Sequence, residues 1–114
     1  MNKAFEKIAL IEGLIAAAFV EEGKLRGWCA NSVISPDNLA FIAETCRSIL
    51  SANRAEQRAA TTGVATFGNR TLVFREGGSG LFLAYLDSPT NDAVLTWLFD
   101  QVGPLLEAEG VRLA

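Results

Sequence analysis

The sequence contains no histidine and only two cysteines, Cys29 and Cys46, among its 114 residues. Histidine is the usual general base, and it activates most serine and cysteine nucleophiles, so its absence removes the commonest catalytic pairs. Two thiols without CxxC spacing are a poor ligand set for zinc. We therefore expect no catalytic residues, no metal and no cofactor, and the chain is not predicted to be an enzyme.

Positive charge is also scarce. Ten Lys and Arg residues stand against thirteen Asp and Glu residues, the net charge is −3, and the basic residues are scattered singly. Because phosphate binding needs clustered Lys and Arg, a nucleic-acid partner is excluded.

The N-terminal segment resembles a signal peptide, with Lys3 and Lys7 before an apolar run. Glu6 and Glu12 argue against this interpretation, because charge in the apolar centre is poorly tolerated. The run is also too short to span a bilayer. We therefore expect a cytoplasmic protein with no membrane partner.

The length of 114 residues, half of them hydrophobic, predicts a single domain over 1–114 with one core. Its most regular stretch predicts a three-stranded antiparallel meander: Thr61–Phe67, Arg70–Arg75 and Gly80–Leu86. Gly68-Asn69 is a two-residue hairpin signal, and Glu76–Gly80 predicts a longer turn. The last strand is apolar at both parities, so both faces of the sheet must be covered.

The first thirty residues predict a helix and two strands. Asn2 is a candidate N-cap for the helix, and Gly13 ends it. The strands are Leu14–Val20 and Lys24–Ala30, joined by a turn at Glu21–Gly23. Strict alternation would place Leu25, Gly27 and Cys29 on one face of the second strand, whose half-polar pattern is typical of a sheet edge.

Ser35-Pro36-Asp37 predicts the start of a second helix, which could extend through Arg54 and Glu56. Its buried stripe is expected to comprise Leu39, Ile42, Ala43, Cys46, Ile49 and Leu50. Phe41 falls off this stripe.

A third helix is predicted to open within Asp87–Asp92. Its stripe is continuous enough to predict full burial: Val94, Leu95, Leu98, Phe99, Val102, Leu105 and Leu106. Pro104 predicts a kink near Gly103, Gly110 should stop the helix, and residues 111–114 are expected to be a tail.

The order helix, two strands, helix, three strands, helix resembles the roadblock/LC7 family. The resemblance covers Phe5 to about Glu109. It is carried by Glu12–Leu25, Gly63-Val-Ala65, Leu72-Val-Phe74 and Leu81–Leu86. Trp28 in the second strand, a late and long second helix, and Pro104 in the last helix depart from the family pattern.

The resemblance implies an α+β, profilin-like fold: a five-stranded antiparallel sheet in the order 2-1-5-4-3, with the first and third helices on one face and the second on the other. It also implies a homodimer that joins third strands edge to edge and packs the second helices together. Family members act as regulators or scaffolds for small Ras-like GTPases, as motor-complex light chains and as assembly platforms. An adaptor of this kind is the leading hypothesis for function.

These implications select two sets of interface residues. On the edge strand they are Val64, Ala65 and Thr66; on the second helix they are Phe41, Glu44, Arg47, Ser48 and Ser51. Whether Phe41 serves the dimer or a partner is open, as is the choice between interface and rim packing for Trp28 and Trp97. The alternative function is a small-molecule sensor with a profilin/PAS-like sheet, although no convergent polar groups are apparent within the apolar segments.

Overall fold

A computed structural model describes residues 1–31, 34–55 and 62–113. Its elements are α1 (Asn2–Ile8), β1 (Leu14–Glu21), β2 (Lys24–Ala30), α2 (Pro36–Ala55), β3 (Thr62–Phe67), β4 (Arg70–Gly77), β5 (Gly80–Leu86) and α3 (Asp92–Glu107). The strands form one antiparallel sheet in the order β2-β1-β5-β4-β3. The predicted α+β architecture and strand order are confirmed.

Each face of the sheet carries its own apolar core. On one face, α1 and α3 pack over β1, β4 and β5 around Phe19 and Phe82. On the other face, α2 packs over the same three strands around Leu83. The four residues selected from sequence as buried are all at most 1% exposed: Phe19, Val73, Leu83 and Leu98. The prediction that both faces are covered is therefore confirmed.

A β-bulge changes the predicted faces of β2. The β1–β2 register shifts between Phe19, which pairs with Gly27, and Val20, which pairs with Leu25. The bulge adds one residue to β2 and reverses its alternation. Leu25 consequently packs on the α2 core, whereas Cys29 packs on the α1–α3 core, and the prediction that they share a face was wrong.

The ends of α1 also differ from the sequence prediction. Asn2 is the first helical residue and not the N-cap; Met1 holds the cap position, without a side-chain bond. The helix ends at Ile8, before Gly13. Beyond it the backbone amides donate to carbonyls three residues back, as the Leu10 amide does to the Lys7 carbonyl.

The third helix and the C-terminus are more ordered than predicted. Asn91 caps α3 by accepting a hydrogen bond from the Val94 amide, and α3 runs as one helix through Pro104 to Glu107. Val94 itself is exposed, so the predicted stripe is not fully buried. Val111 is buried, and Leu113 forms a β-bridge with Gly77, so the predicted tail packs onto the domain.

The strands of the meander are joined by two-residue turns. Gly68 and Gly78 each have positive φ, as type II′ turns require at the first central position. The second reversal is therefore tighter than predicted, because β4 extends to Gly77 and pairs it with Gly80. Among the described residues, no helix is both long and apolar enough to cross a membrane. Thr61 and Glu56, which the sequence predictions included, lie outside the described residues.

Gly27 allows α1 to lie close to β2. A Cβ atom at this position would overlap the Met1 side chain and would lie 2.6 Å from the Phe5 ring. We expect Gly27→Ala to lower the free energy of unfolding by about 1 kcal/mol, through overpacking. Chemical denaturation measures this change. Lys24→Ala, at an exposed site on the same strand, is the control and should change stability by less than about 0.5 kcal/mol.

Candidate interaction surface

The outer edge of β3 has no neighbouring strand among the described residues. Because a two-residue turn joins Phe67 to Arg70, Phe67 forms a hydrogen-bonded pair with Arg70 of β4. Along β3 from there, non-hydrogen-bonded and hydrogen-bonded pairs alternate. Ala65 and Gly63 therefore direct their backbone groups at β4. The backbone N–H and C=O groups of the other three residues point outward: Thr62, Val64 and Thr66.

The side chains of β3 divide between the two faces of the sheet. Ala65 packs against the α2 core, whereas Val64 stands opposite Val73, which belongs to the α1–α3 core. Alternation then places Thr66 with Val64 and places Phe67 with Ala65. The predicted edge residues Val64 and Thr66 therefore do not face α2.

An apolar groove about 370 Å³ in volume separates α2 from β3 and β4. Before Phe67 at its end, β3 presents only the small residues Gly63 and Ala65 to this groove, and a Cβ at Gly63 would overlap the Phe74 ring. The groove is lined by Ile34, Leu39, Ile42, Thr45, Cys46, Ile49, Ala65, Phe67, Leu72, Phe74 and Tyr85. None of these side chains carries a charge at neutral pH.

One ridge of α2 rises beside this groove. Phe41, Thr45 and Ile49 follow one another at four-residue spacing, and the latter two line the groove. The Thr45 hydroxyl donates to the Phe41 carbonyl over 3.2 Å. Phe41 is 75% exposed. The ridge continues the apolar surface of the groove outward to solvent.

Ile49 was assigned to the buried stripe of α2, and that prediction was wrong. It is exposed because the small residues of β3 do not reach it across the groove. Leu39, Ala43, Cys46 and Leu50 from the same stripe are buried as predicted.

The polar α2 residues selected from sequence lie along an arc that begins beside Phe41 and runs away from the groove. Ser48 lies about 20° around the helix from Phe41, on the side away from the groove, and its hydroxyl donates to the Glu44 carbonyl. Arg47 lies about 120° from Phe41 and is half-buried. Glu44 and Ser51 are exposed between these directions. The structure thus separates Arg47 from the groove.

Sequence reasoning missed Phe67, which is 58% exposed at the end of β3. A large aromatic residue on an edge strand, directly before a glycine turn, was the available signal. Trp28 and Trp97 are also partly exposed. Trp28 lies on β2, at the opposite edge of the sheet, so it does not join the groove surface.

The opposite side of β3 carries a polar contact. The Arg75 guanidinium lies 3.6 Å from the centre of the Phe99 ring, and its Nε donates to the Thr62 hydroxyl over 2.7 Å. Burial lowers the pKa of Arg75. A shallow depression lies here, and the residues that border it include Asp92. The contact holds β3 against α3 at the start of the strand.

Neither thiol is activated. Burial raises the pKa of Cys46 from 9.0 to about 11, and burial likewise raises the pKa of Cys29. Both therefore remain largely protonated at neutral pH. Within ranges 1–31, 34–55 and 62–113, no three metal-binding side chains cluster.

No family model matches the sequence, and no curated protein matches it. Solved structures do match. A roadblock/LC7 domain from Streptomyces avermitilis superposes with a TM-score of 0.74 at 14% identity, covering 95% of this chain and 92% of the other. Myxococcus xanthus MglB gives 0.69 at 12% identity, covering 92% and 86%. An MglB with a tetrameric arrangement gives 0.68 at 15% identity, covering 93% and 87%.

These superpositions extend over nearly the whole of each chain, with high TM-scores and low identity. They agree with the strand order and with the distribution of helices on the two faces of the sheet. The chain therefore has the roadblock/LC7 fold.

Proposed function

We propose that this protein is a non-enzymatic, cytoplasmic homodimeric adaptor that regulates or scaffolds a small Ras-like GTPase or a protein assembly. One observation carries the proposal: the free edge of β3 adjoins an open apolar groove and the exposed ridge of Phe41. An unpaired edge and an apolar patch are both features that a protein partner covers.

A second copy of the chain suits this surface. The outward backbone groups of β3 need donors and acceptors spaced as in another strand, and an identical edge supplies them. The groove lining is uncharged, so the net charge of −3 creates no local repulsion across such a contact. Self-association would cover Phe41 and Phe67 together.

The similarity of fold to MglB supports the proposed self-association. MglB has been solved in a tetrameric arrangement, which shows that a chain of this fold can self-associate. The proposal of a GTPase partner rests on the resemblance to roadblock/LC7 regulators. Such a partner would dock on the surface formed by the paired α2 helices, because only the dimer presents it.

Affinity purification from the native cell, in parallel with GTPγS and with GDP, tests the proposed partner. We expect a small Ras-like GTPase to be enriched in one of the two nucleotide states. Its rate of GTP hydrolysis should change when this protein is added. The purified protein alone should hydrolyse no GTP. The control bait is the Val64→Pro variant, expected to be monomeric. Failure to enrich a GTPase in either state would refute the proposed partner class.

A small-molecule sensor is the second candidate, and the groove is the observation that favours it. Its volume of about 370 Å³ lies within the range of ligand sites, and its lining is apolar. Mass spectrometry of an organic extract of the purified protein distinguishes the two functions. A stoichiometric small molecule would favour the sensor, whereas an empty dimer would favour the adaptor.

A further inference from the structure

We propose that two copies pair through β3 in one register, with Val64 on the two-fold axis. Val64 then faces the partner's Val64, and Thr62 faces the partner's Thr66. The proposal rests on the homodimer proposed above and adds which residues meet. The result is one antiparallel sheet of ten strands, continuous across the two protomers.

The backbone limits the possible registers. Among the described residues of β3, only Thr62, Val64 and Thr66 direct their N–H and C=O groups outward, since the intervening residues bond to β4. A cross-chain hydrogen-bonded pair must therefore join two of these three positions. A register that places an outward-facing residue opposite an inward-facing one gives neither residue a cross-chain hydrogen bond. Such registers are excluded.

Of the remaining registers, the one centred on Val64 forms the most bonds between residues that the structure describes. It pairs all three outward residues, which gives about six cross-chain hydrogen bonds at two for each pair. Centring on Ala65 instead pairs only Val64 with the partner's Thr66, for about four bonds. Thr62 would then face Gly68, which lies in the turn with φ of +61° and does not continue the strand.

The side chains favour the same register. On the α3 side, valine meets valine and threonine meets threonine, and such β-branched cross-strand pairs stabilise sheets. On the α2 side, Gly63 meets the partner's Ala65, so only small residues lie at the seam. The two apolar grooves would then join above it, where the exposed ridges of both α2 helices can approach.

Single-cysteine crosslinking tests the register. Val64→Cys should form a symmetric disulfide upon mild oxidation, because a hydrogen-bonded antiparallel pair has Cα atoms about 5.5 Å apart, within disulfide range. Ala65→Cys is the matched control. Its two copies would lie roughly 8 Å apart in this register, too far to bridge. The buried native thiols, Cys29 and Cys46, have raised pKa values and should react slowly.

We expect near-complete conversion of Val64→Cys to a covalent dimer and little conversion of Ala65→Cys. A mixture of Thr62→Cys and Thr66→Cys protomers should also crosslink, which gives a second readout if Val64→Cys folds poorly. The reverse pattern, with Ala65→Cys crosslinking alone, would overturn the register while leaving the dimer. A native chain that light scattering finds monomeric would overturn the proposed homodimer as well, so the two failures are distinguishable.

Discussion

Replacing Val64 by proline is expected to dissociate the proposed homodimer while the protomer stays folded. Val64 is 46% exposed, and its N–H points outward, so proline removes a cross-chain donor but no bond to β4. Because symmetry applies the change in both copies, two bonds are lost and two acceptors are left unpaired. We expect a cost of about 3 kcal/mol, or more than a hundredfold rise in the dimer dissociation constant.

Ala65→Pro is the matched control for this result, because Ala65 directs its N–H at β4. Proline there should destabilise the protomer itself, seen as a lower melting temperature. The structure thus predicts different effects for the same substitution at two adjacent residues of the edge strand. Light scattering across a concentration series reaching tens of micromolar measures dissociation, and circular dichroism measures folding. A Val64→Pro variant that remains dimeric at low micromolar concentration would contradict the proposed edge pairing.

The central strands show why much of the fold could be predicted from sequence. In β1 and β5 nearly every residue is apolar, so any fold must bury both faces, and the prediction needed no knowledge of packing. The start of α2 was equally clear. The Ser35 hydroxyl accepts a hydrogen bond from the Asn38 amide, as its cap position predicted.

Local irregularities explain the errors in the fold. The bulge in β2 depends on register with β1, which alternation within one strand does not specify. The prediction of Asn2 as N-cap was wrong because the boundary of a helix depends on which backbone amides form hydrogen bonds. Burial of Val111 and the Leu113 bridge arise from tertiary contacts with the sheet, which no local signal encodes.

The candidate site was the least predictable part, for a physical reason. Helical periodicity identifies an apolar stripe but not how much sheet lies beneath it. Ile49 is apolar and in phase, yet the small residues of β3 leave it exposed over a groove. The sequence could select Phe41 because it breaks the pattern; it could not select Ile49, which obeys the pattern.

The position of Phe41 on α2 favours one of the two roles left open for it. Its ridge passes through Thr45 and Ile49 into the groove beside β3, which is the side of α2 nearest the free edge. Arg47 lies about 120° away around the helix. We therefore propose that Phe41 serves the dimer contact, and that Arg47 lies on the surface left for a partner.

Phe41→Ala should weaken the homodimer by about 2 kcal/mol, which is roughly a thirtyfold rise in the dissociation constant, as expected for an aromatic anchor at a desolvated contact. The protomer should keep its stability, since the side chain is 75% exposed within it. Sedimentation equilibrium measures the dissociation constant.

Two control variants accompany this measurement. Leu10→Ala removes another apolar side chain, which is 83% exposed and lies outside the groove surface. Arg47→Glu alters the far side of α2. Both should leave dimerisation unchanged, whereas Arg47→Glu should slow association with a GTPase partner. If Phe41→Ala dimerises like the native chain but loses the partner, Phe41 belongs to the partner surface and its assignment to the dimer is wrong.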